Sequence, residues 1–274
     1  MIEKKFALIG KPISHSISPA LHNFWFKKYK IAAKYFLLEI TEDKIEGIIN
    51  KIRKKEIKGI NVTIPYKKTV VPYLDEIIND AEKTSSVNTI YLDDRNRLIG
   101  ENTDVYGFEK TLTNQLEKNL SGKDVLILGA GGVTSSIIYV LKKLKVKNIF
   151  ISNRSVKKTE EIKKTFSFIN IILWEQKTEK IKEIDLLINA TSLGTKNELD
   201  FPQMFLNFKK NLIYYDLVYN PAQTKLMKHF IKNNIKVFNG LEMLIYQGQK
   251  AFNLWNKINP EVNDVLKKKI MRLV

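Results

Sequence analysis

Hydrophobic positions in this chain come in short runs separated by helical patterns. Lys5 to Ile9 reads as a strand. Ser18 and Pro19 then open an apolar-periodic helix through Phe26, with Ser18 as the expected cap and Pro19 at its first position. Tyr35 to Ile40 is strand-like. Thr41 is the expected cap of a helix in which Ile45, Ile48, Ile49 and Ile52 share one face. Ile60 to Ile64 reads as a strand ended by Pro65. Val87 to Leu92 and Leu98 to Gly100 read as short strands around a turn at 93–96.

A second alternating series begins near Asp124. Strands fit Val125–Leu128, Asn148–Ser152, Ile169–Leu173, Asp185–Asn189, Leu212–Leu217 and Lys236–Phe238. Helical patterns separate most of them, Thr134–Leu144 and Ala222–Asn233 being the clearest. Repeated βα units predict a parallel, doubly wound sheet. After Gly240 only helices follow, Leu241 to Asn256 and Pro260 to Leu273. The fold class is therefore α/β. An N-terminal α/β domain over 1–104, a Rossmann domain over 105–239 and C-terminal helices over 240–274 are expected.

Composition narrows the chemistry. The chain has 274 residues, 44% of them hydrophobic, which is ample for two modest cores. With no cysteine, disulfides, thiolate nucleophiles and cysteine-ligated zinc are excluded. The start MIEKKFALIG lacks the long apolar core of a signal peptide, and a cytoplasmic location is expected. No apolar stretch approaches the roughly 20 residues needed to span a bilayer. The formal charge of +17 raises a nucleic-acid reading. However, the arginines are only Arg53, Arg95, Arg97, Arg154 and Arg272, and the lysines are scattered. Base readout and bidentate phosphate contacts favour arginine, so neither a nucleic acid nor a membrane is expected as partner. His15, His22 and His229 form no ligand spacing, so no metal is expected. Trp25, Trp174 and Trp255 are read as core or surface aromatics.

The strand Val125–Leu128 runs directly into Gly129, Ala130, Gly131, Gly132, Val133 and Thr134, then an apolar helix. Strand and helix supply the context that a bare glycine motif lacks. Glycines let the backbone approach a pyrophosphate, and the helix N-terminus offers free N–H groups to it. Thr134 stands at the third glycine position, which predicts looser helix–strand packing there. The next strand ends at Asn153, Arg154 and Ser155, followed by Lys157 and Lys158. An NAD-binding fold places an acid near this point to hold the ribose hydroxyl. Here a guanidinium stands instead, which suits a 2′-phosphate and selects NADP(H) over NAD.

Ser14 and Ser16 form a hydroxyl cluster past the first strand. Paired hydroxyls can donate two hydrogen bonds to a carboxylate, and they can equally cap a helix. Asn61 and Thr63 are expected on one face of their strand, with Lys67 beyond its end. Asn88 and Asp104 follow, Asp104 also being a candidate cap for a helix starting near Tyr106. Hydroxyls, amides, one lysine and one carboxylate suit a small polyhydroxylated acid.

SHSISPALHN, NVTIPYK, SVNTI, GENTD, LILGAGG, NRS, NATSLG, YDLVYNP and GLEMLIYQG occur in the order seen in shikimate dehydrogenases, which the chain resembles over nearly its whole length. The resemblance implies NADPH-dependent reduction of 3-dehydroshikimate to shikimate, on the route to the aromatic amino acids. It implies that Ser14 and Ser16, assisted by Tyr219, hold the substrate carboxylate. Asn61, Thr63, Asn88 and Gln247 lie around the ring hydroxyls, and Lys67 and Asp104 form the catalytic pair. Asn153, Arg154, Ser155 and Lys158 clamp the 2′-phosphate, although the family usually has threonine at Ser155 and often arginine at Lys158. Thr191, Leu217 and Gly240 lie along the cofactor beside the 129–133 loop. The C-terminal helices return to the substrate domain, and the protein is a monomer or homodimer.

Val133–Ser136 replaces the family's commoner small-residue and arginine run, which predicts somewhat weaker pyrophosphate binding. YNPAQTK departs from the family near Lys225. In mechanism, Lys67 is expected to supply charge and a proton to the carbonyl oxygen, with Asp104 orienting it and binding the C4 hydroxyl. Which of the two donates the proton stays open in the sequence. Alternatives are a quinate/shikimate dehydrogenase using NAD, and a non-catalytic NADP-binding sensor, which would need neither Lys67 nor Asp104.

Overall fold

A computed structural model describes residues 3–115, 120–195 and 205–274. In chain order the elements are β1 (Lys4–Gly10), α1 (Ser18–Lys28), β2 (Ala33–Glu39), α2 (Ile45–Arg53), β3 (Gly59–Val62), β4 (Glu76–Ile77), α3 (Asp80–Thr84), β5 (Thr89–Leu92), β6 (Leu98–Glu101) and α4 (Thr103–Gln115). Then come β7 (Asp124–Leu128), α5 (Thr134–Lys143), β8 (Asn148–Ser152), α6 (Val156–Thr165), β9 (Asn170–Ile172), α7 (Lys177–Lys180), β10 (Leu186–Asn189), β11 (Ile213–Asp216), α8 (Lys225–Lys232), β12 (Lys236–Phe238), α9 (Leu241–Asn256) and α10 (Asp264–Met271). They form two compact units: Met1–Thr111 with Leu244–Leu273, and Leu112–Met243 with Val274. The first division falls inside α4, past residue 104, where the sequence marks it.

The first unit is built on a mixed sheet of order β2-β1-β3-β5-β6-β4. β1 pairs in parallel with β2 and β3, while β5 runs antiparallel to both β3 and β6. One face carries Ala7, Ile9, Ile60 and Val62 against the buried isoleucines Ile45, Ile48, Ile49 and Ile52 of α2, the helical stripe that the spacing predicts. On the other face the ring of Phe6 stacks on Phe26 of α1 and on Trp255 of α9. Gly59 is required here, because an added Cβ would lie 2.4 Å from the Trp255 indole nitrogen. The Trp25 indole donates to the Glu261 carbonyl, and Lys28 pairs with the Glu261 carboxylate. The C-terminal helices thus complete the core of the N-terminal unit.

The second unit is a six-stranded sheet of order β12-β11-β10-β7-β8-β9, parallel throughout. Its order reverses at β7, the arrangement of a dinucleotide-binding fold. Val125, Leu126, Ile127 and Leu128 are all fully buried, as a strand covered on both faces must be.

Three local expectations change. Ser18 is the first residue of α1 rather than its cap; Ile17 stands at that position, with no side-chain cap bond. Thr41 precedes a short 3-10 turn over Glu42–Lys44, and its hydroxyl bonds Asp43 rather than the backbone. Thr134 does not loosen the helix–strand packing: it is fully buried, and its hydroxyl donates to the Gly129 carbonyl.

Candidate active site

In the first unit, Lys67 and Asp104 meet in an ion pair, each side chain 9% exposed. Lys67 stands on a turn after β3, anchored by its carbonyl, which accepts from the Val87 amide. Asp104 sits in the first turn of α4. Two other side chains bond the amides at that helix start, which leaves its carboxylate free for Lys67. The Asn88 amide oxygen accepts from Thr103 N at 2.7 Å, and the Asn102 oxygen accepts from Asp104 N at 3.1 Å. Because Asn88 Oδ1 is committed to a backbone N–H, its Nδ2 must point the other way, and it donates to Asp104 Oδ1 at 2.9 Å. The capping role expected of Asp104 falls to Asn102, which in turn donates to Thr84 Oγ1 and the Ser86 carbonyl. Asn102 lies in the GENTD run, but nothing in the residue type separates a cap from a ligand.

Thr63 lies one residue past the end of β3, its amide still donating to the Ile9 carbonyl. Asn61 is 5% exposed and its amide is spent inward. It accepts from the Tyr35 hydroxyl at 2.9 Å and donates to the Asn88 carbonyl and Thr89 Oγ1. It therefore supports Asn88 from beneath. Thr63 is half-buried beside Gly10, where an added Cβ would lie 2.4 Å from its methyl. Ser14 is exposed, while Ser16 Oγ donates to Ser18 Oγ and accepts from Ser18 N. Gln247 is 9% exposed on α9, and its amide donates to the Leu244 carbonyl. Tyr219 belongs to the second unit, where it follows β11.

The second unit carries the dinucleotide cradle at the carboxyl ends of its strands. Gly129 has φ +110, and a Cβ there would strike the Ala190 backbone at 2.7 Å. Gly131 meets nothing nearer than 3.9 Å, so its open side is available to a bulky anion at the start of α5. Gly132 and Val133 complete the turn into that helix. Thr191 N and Oγ1 both donate to Asn189 Oδ1 beside this loop. Gly240 packs against Leu217 so closely that a Cβ would lie 2.1 Å from its carbonyl oxygen. At the end of β8, Arg154, Ser155, Lys157 and Lys158 are exposed, and Asn153 donates to the Ser155 carbonyl. The residues present thus fit a dinucleotide: a glycine-rich turn, a helix N-terminus and a cationic end. No group of three or more His, Cys, Asp or Glu among the described residues could hold a metal ion. No helix among them is long and apolar enough to cross a membrane.

Comparison with known proteins agrees with both halves. Residues 8–90 match the shikimate dehydrogenase substrate binding domain, and residues 111–205 match the shikimate / quinate 5-dehydrogenase domain. The chain is 46% identical over 262 residues to a shikimate dehydrogenase (NADP(+)) of Pelagibacter ubique, covering 96% of this chain and 97% of that one. It superposes on a shikimate 5-dehydrogenase of Thermus thermophilus in complex with NADP(H) and shikimate, with TM-score 0.87, 28% identity and coverage of 99% and 100%. A shikimate 5-dehydrogenase of Listeria monocytogenes in complex with shikimate and NAD gives TM-score 0.84, 30% identity and coverage of 98% and 96%. With a relative this similar along both chains, and two family domains in order, the chain belongs to the shikimate dehydrogenase family.

Proposed function

We propose that this chain catalyses the reversible NADPH-dependent reduction of 3-dehydroshikimate to shikimate, with Lys67 and Asp104 as its catalytic residues. The observation that carries this reading is the buried Lys67–Asp104 pair, oriented by Asn88, in a unit that otherwise buries few charges. A sensor that only bound the dinucleotide would have no use for it. Burying an ion pair costs several kcal/mol of desolvation per ion before its attraction repays any of it.

Bound NADPH supplies the hydride that reduces the C3 carbonyl. The chain's own residues handle the oxygen. The Lys67 ammonium faces the carbonyl oxygen as negative charge develops on it, and the pair delivers the one proton that completes the alcohol. Asp104 fixes the lysine and accepts from the C4 hydroxyl. Ser14 and Ser16 hold the carboxylate, while Thr63, Asn88 and Gln247 surround the ring. Asn61 acts through Asn88. The dinucleotide lies along 129–133, Thr191, Leu217 and Gly240, and Asn153, Arg154, Ser155 and Lys158 hold its 2′-phosphate. The protein acts on its small-molecule substrate as a monomer or homodimer.

The test is NADP⁺ reduction with shikimate, followed at the nicotinamide absorbance, with arms for quinate and for NAD⁺. Turnover with shikimate and NADP⁺, well above either substitute, supports the reading. Turnover preferring quinate or NAD⁺ moves it to the quinate/shikimate alternative, and no turnover with any pair overturns it.

A further inference from the structure

One buried charge in the second unit is unused by this chemistry. Asp216 closes β11 and is fully buried. Its Oδ1 accepts from Asn189 Nδ2 at 2.9 Å and from Val218 N at 3.0 Å. Its Oδ2 accepts from the Tyr214 hydroxyl at 2.7 Å and from Thr224 Oγ1 at 3.1 Å. These four donors come from its own strand, from the loop after it, from the end of β10 and from the start of α8.

Each partner carries the constraint further. Asn189, with its Nδ2 committed to Asp216, turns its Oδ1 toward Thr191 and accepts from both Thr191 N and Thr191 Oγ1. Leu193 N then donates to Thr191 Oγ1. The same loop packs on the glycine turn, where the Ala190 backbone leaves no room for a Cβ on Gly129. Val218 N fixes the chain just past Leu217, against which Gly240 packs. Thr224 Oγ1 gives its proton to Asp216 and accepts from Met227 N as the cap of α8. A neutral residue at 216 would satisfy at most part of this donor set. Burial pushes the Asp216 carboxyl up to about 6, opposed by the same four donors, so the charge is held here at a cost.

We infer that Asp216 is a positioning residue for the dinucleotide: its carboxylate holds the ends of β10 and β11 so that Thr191 sits against the glycine turn and Leu217 against Gly240, without itself touching the cofactor. This rests on the reading of the second unit as the NADP(H) site. It predicts a selective defect in cofactor binding, because the residues of the first unit are not part of the network.

The experiment measures the NADPH Kd by titration calorimetry, together with steady-state constants, for wild type, Asp216→Asn, Tyr214→Phe, Thr224→Val and Thr224→Ser. Asp216→Asn keeps the shape but turns one acceptor into a donor. It should weaken NADPH by about tenfold or more, on the scale of a lost hydrogen bond to a buried charge. Its shikimate KM and its turnover at saturating cofactor should stay within about twofold. Tyr214→Phe and Thr224→Val should weaken NADPH several-fold, while Thr224→Ser, which keeps the hydroxyl, should restore it. A folded Asp216→Asn with wild-type NADPH affinity overturns the inference. If Asp216→Asn does not fold, the milder variants decide: unchanged NADPH affinity in both Tyr214→Phe and Thr224→Val overturns it equally. A wild-type chain that binds no NADPH would overturn the dinucleotide reading itself, and this inference with it.

Discussion

Asn88 donates to Asp104 through Nδ2 only because Thr103 N, the first helical amide of α4, claims its Oδ1. The helix that supplies the carboxylate paired with Lys67 therefore also sets the side chain that orients it. Residues 16 apart in sequence are locked by one amide whose two ends cannot be exchanged without breaking both bonds. Asn88→Asp removes the Nδ2 donor and sets a second carboxylate against Asp104. Turnover should fall by about tenfold or more, with NADP affinity unchanged, as steady-state kinetics would show.

Arg154→Ala removes the guanidinium from the exposed end of β8. A lost charge-assisted contact is worth about 1.5–3 kcal/mol, or roughly 10- to 150-fold in NADP affinity. NAD affinity should barely change, and the ratio of the two dissociation constants is the measurement. Equal losses for both cofactors would remove Arg154 from the 2′-phosphate.

The glycines of the turn separate backbone need from ligand need. Gly129→Ala places a methyl in the Ala190 backbone at φ +110 and should destabilise the second unit by roughly 1–3 kcal/mol in denaturant unfolding. Gly131→Ala meets no protein atom nearer than 3.9 Å, so stability should hold while cofactor affinity falls. Unchanged affinity in Gly131→Ala would mean that the pyrophosphate lies elsewhere.

How much of this was legible in the sequence differs by element. The second unit was readable because β7, β8 and β10 are dense apolar runs and α5 and α8 carry a clear helical period. Ile45, Ile48, Ile49 and Ile52 announced α2 in the same way. β4, with two residues, and α3, with five, carry no period to read. The inward turn of Asn61, the cap at Asn102 and the four-donor site of Asp216 were not legible. Each depends on which backbone amides the fold brings within 3 Å, and residue type alone does not encode that. The motifs located Lys67 and Asp104, and the fold explains why the two can meet.

His22 makes a pH prediction. It is fully buried, stacks on Tyr35 with ring centroids 4.4 Å apart, and neither ring nitrogen has a hydrogen-bond partner. Burial lowers its pKa from 6.5 to about 3. Between those values the unfolded chain binds a proton that the folded chain refuses. The stability of the neutral form is thus fully present above pH 6.5 and is lost as pH falls toward 3, by roughly 1.4 kcal/mol per unit. His22→Phe keeps the stack and removes this term, so its acid-unfolding midpoint should lie at lower pH than that of the wild type. Coincident acid-unfolding curves would show that His22 does not drive the transition.

If the Lys67–Asp104 pair carries the chemistry, Lys67→Met is the substitution that exposes it. The substitution removes the ammonium while keeping much of the apolar stem. Shikimate oxidation by NADP⁺ is measured at saturating substrates, with circular dichroism to establish the fold and calorimetry to establish NADPH binding. Turnover should fall by about 10² or more, the scale of one positioned acid or oxyanion donor, with NADPH affinity retained. Asp104→Asn should lower turnover and weaken shikimate as well, and the double variant should be little worse than Lys67→Met alone. A folded Lys67→Met protein with near-normal turnover would show that Lys67 does not carry the chemistry.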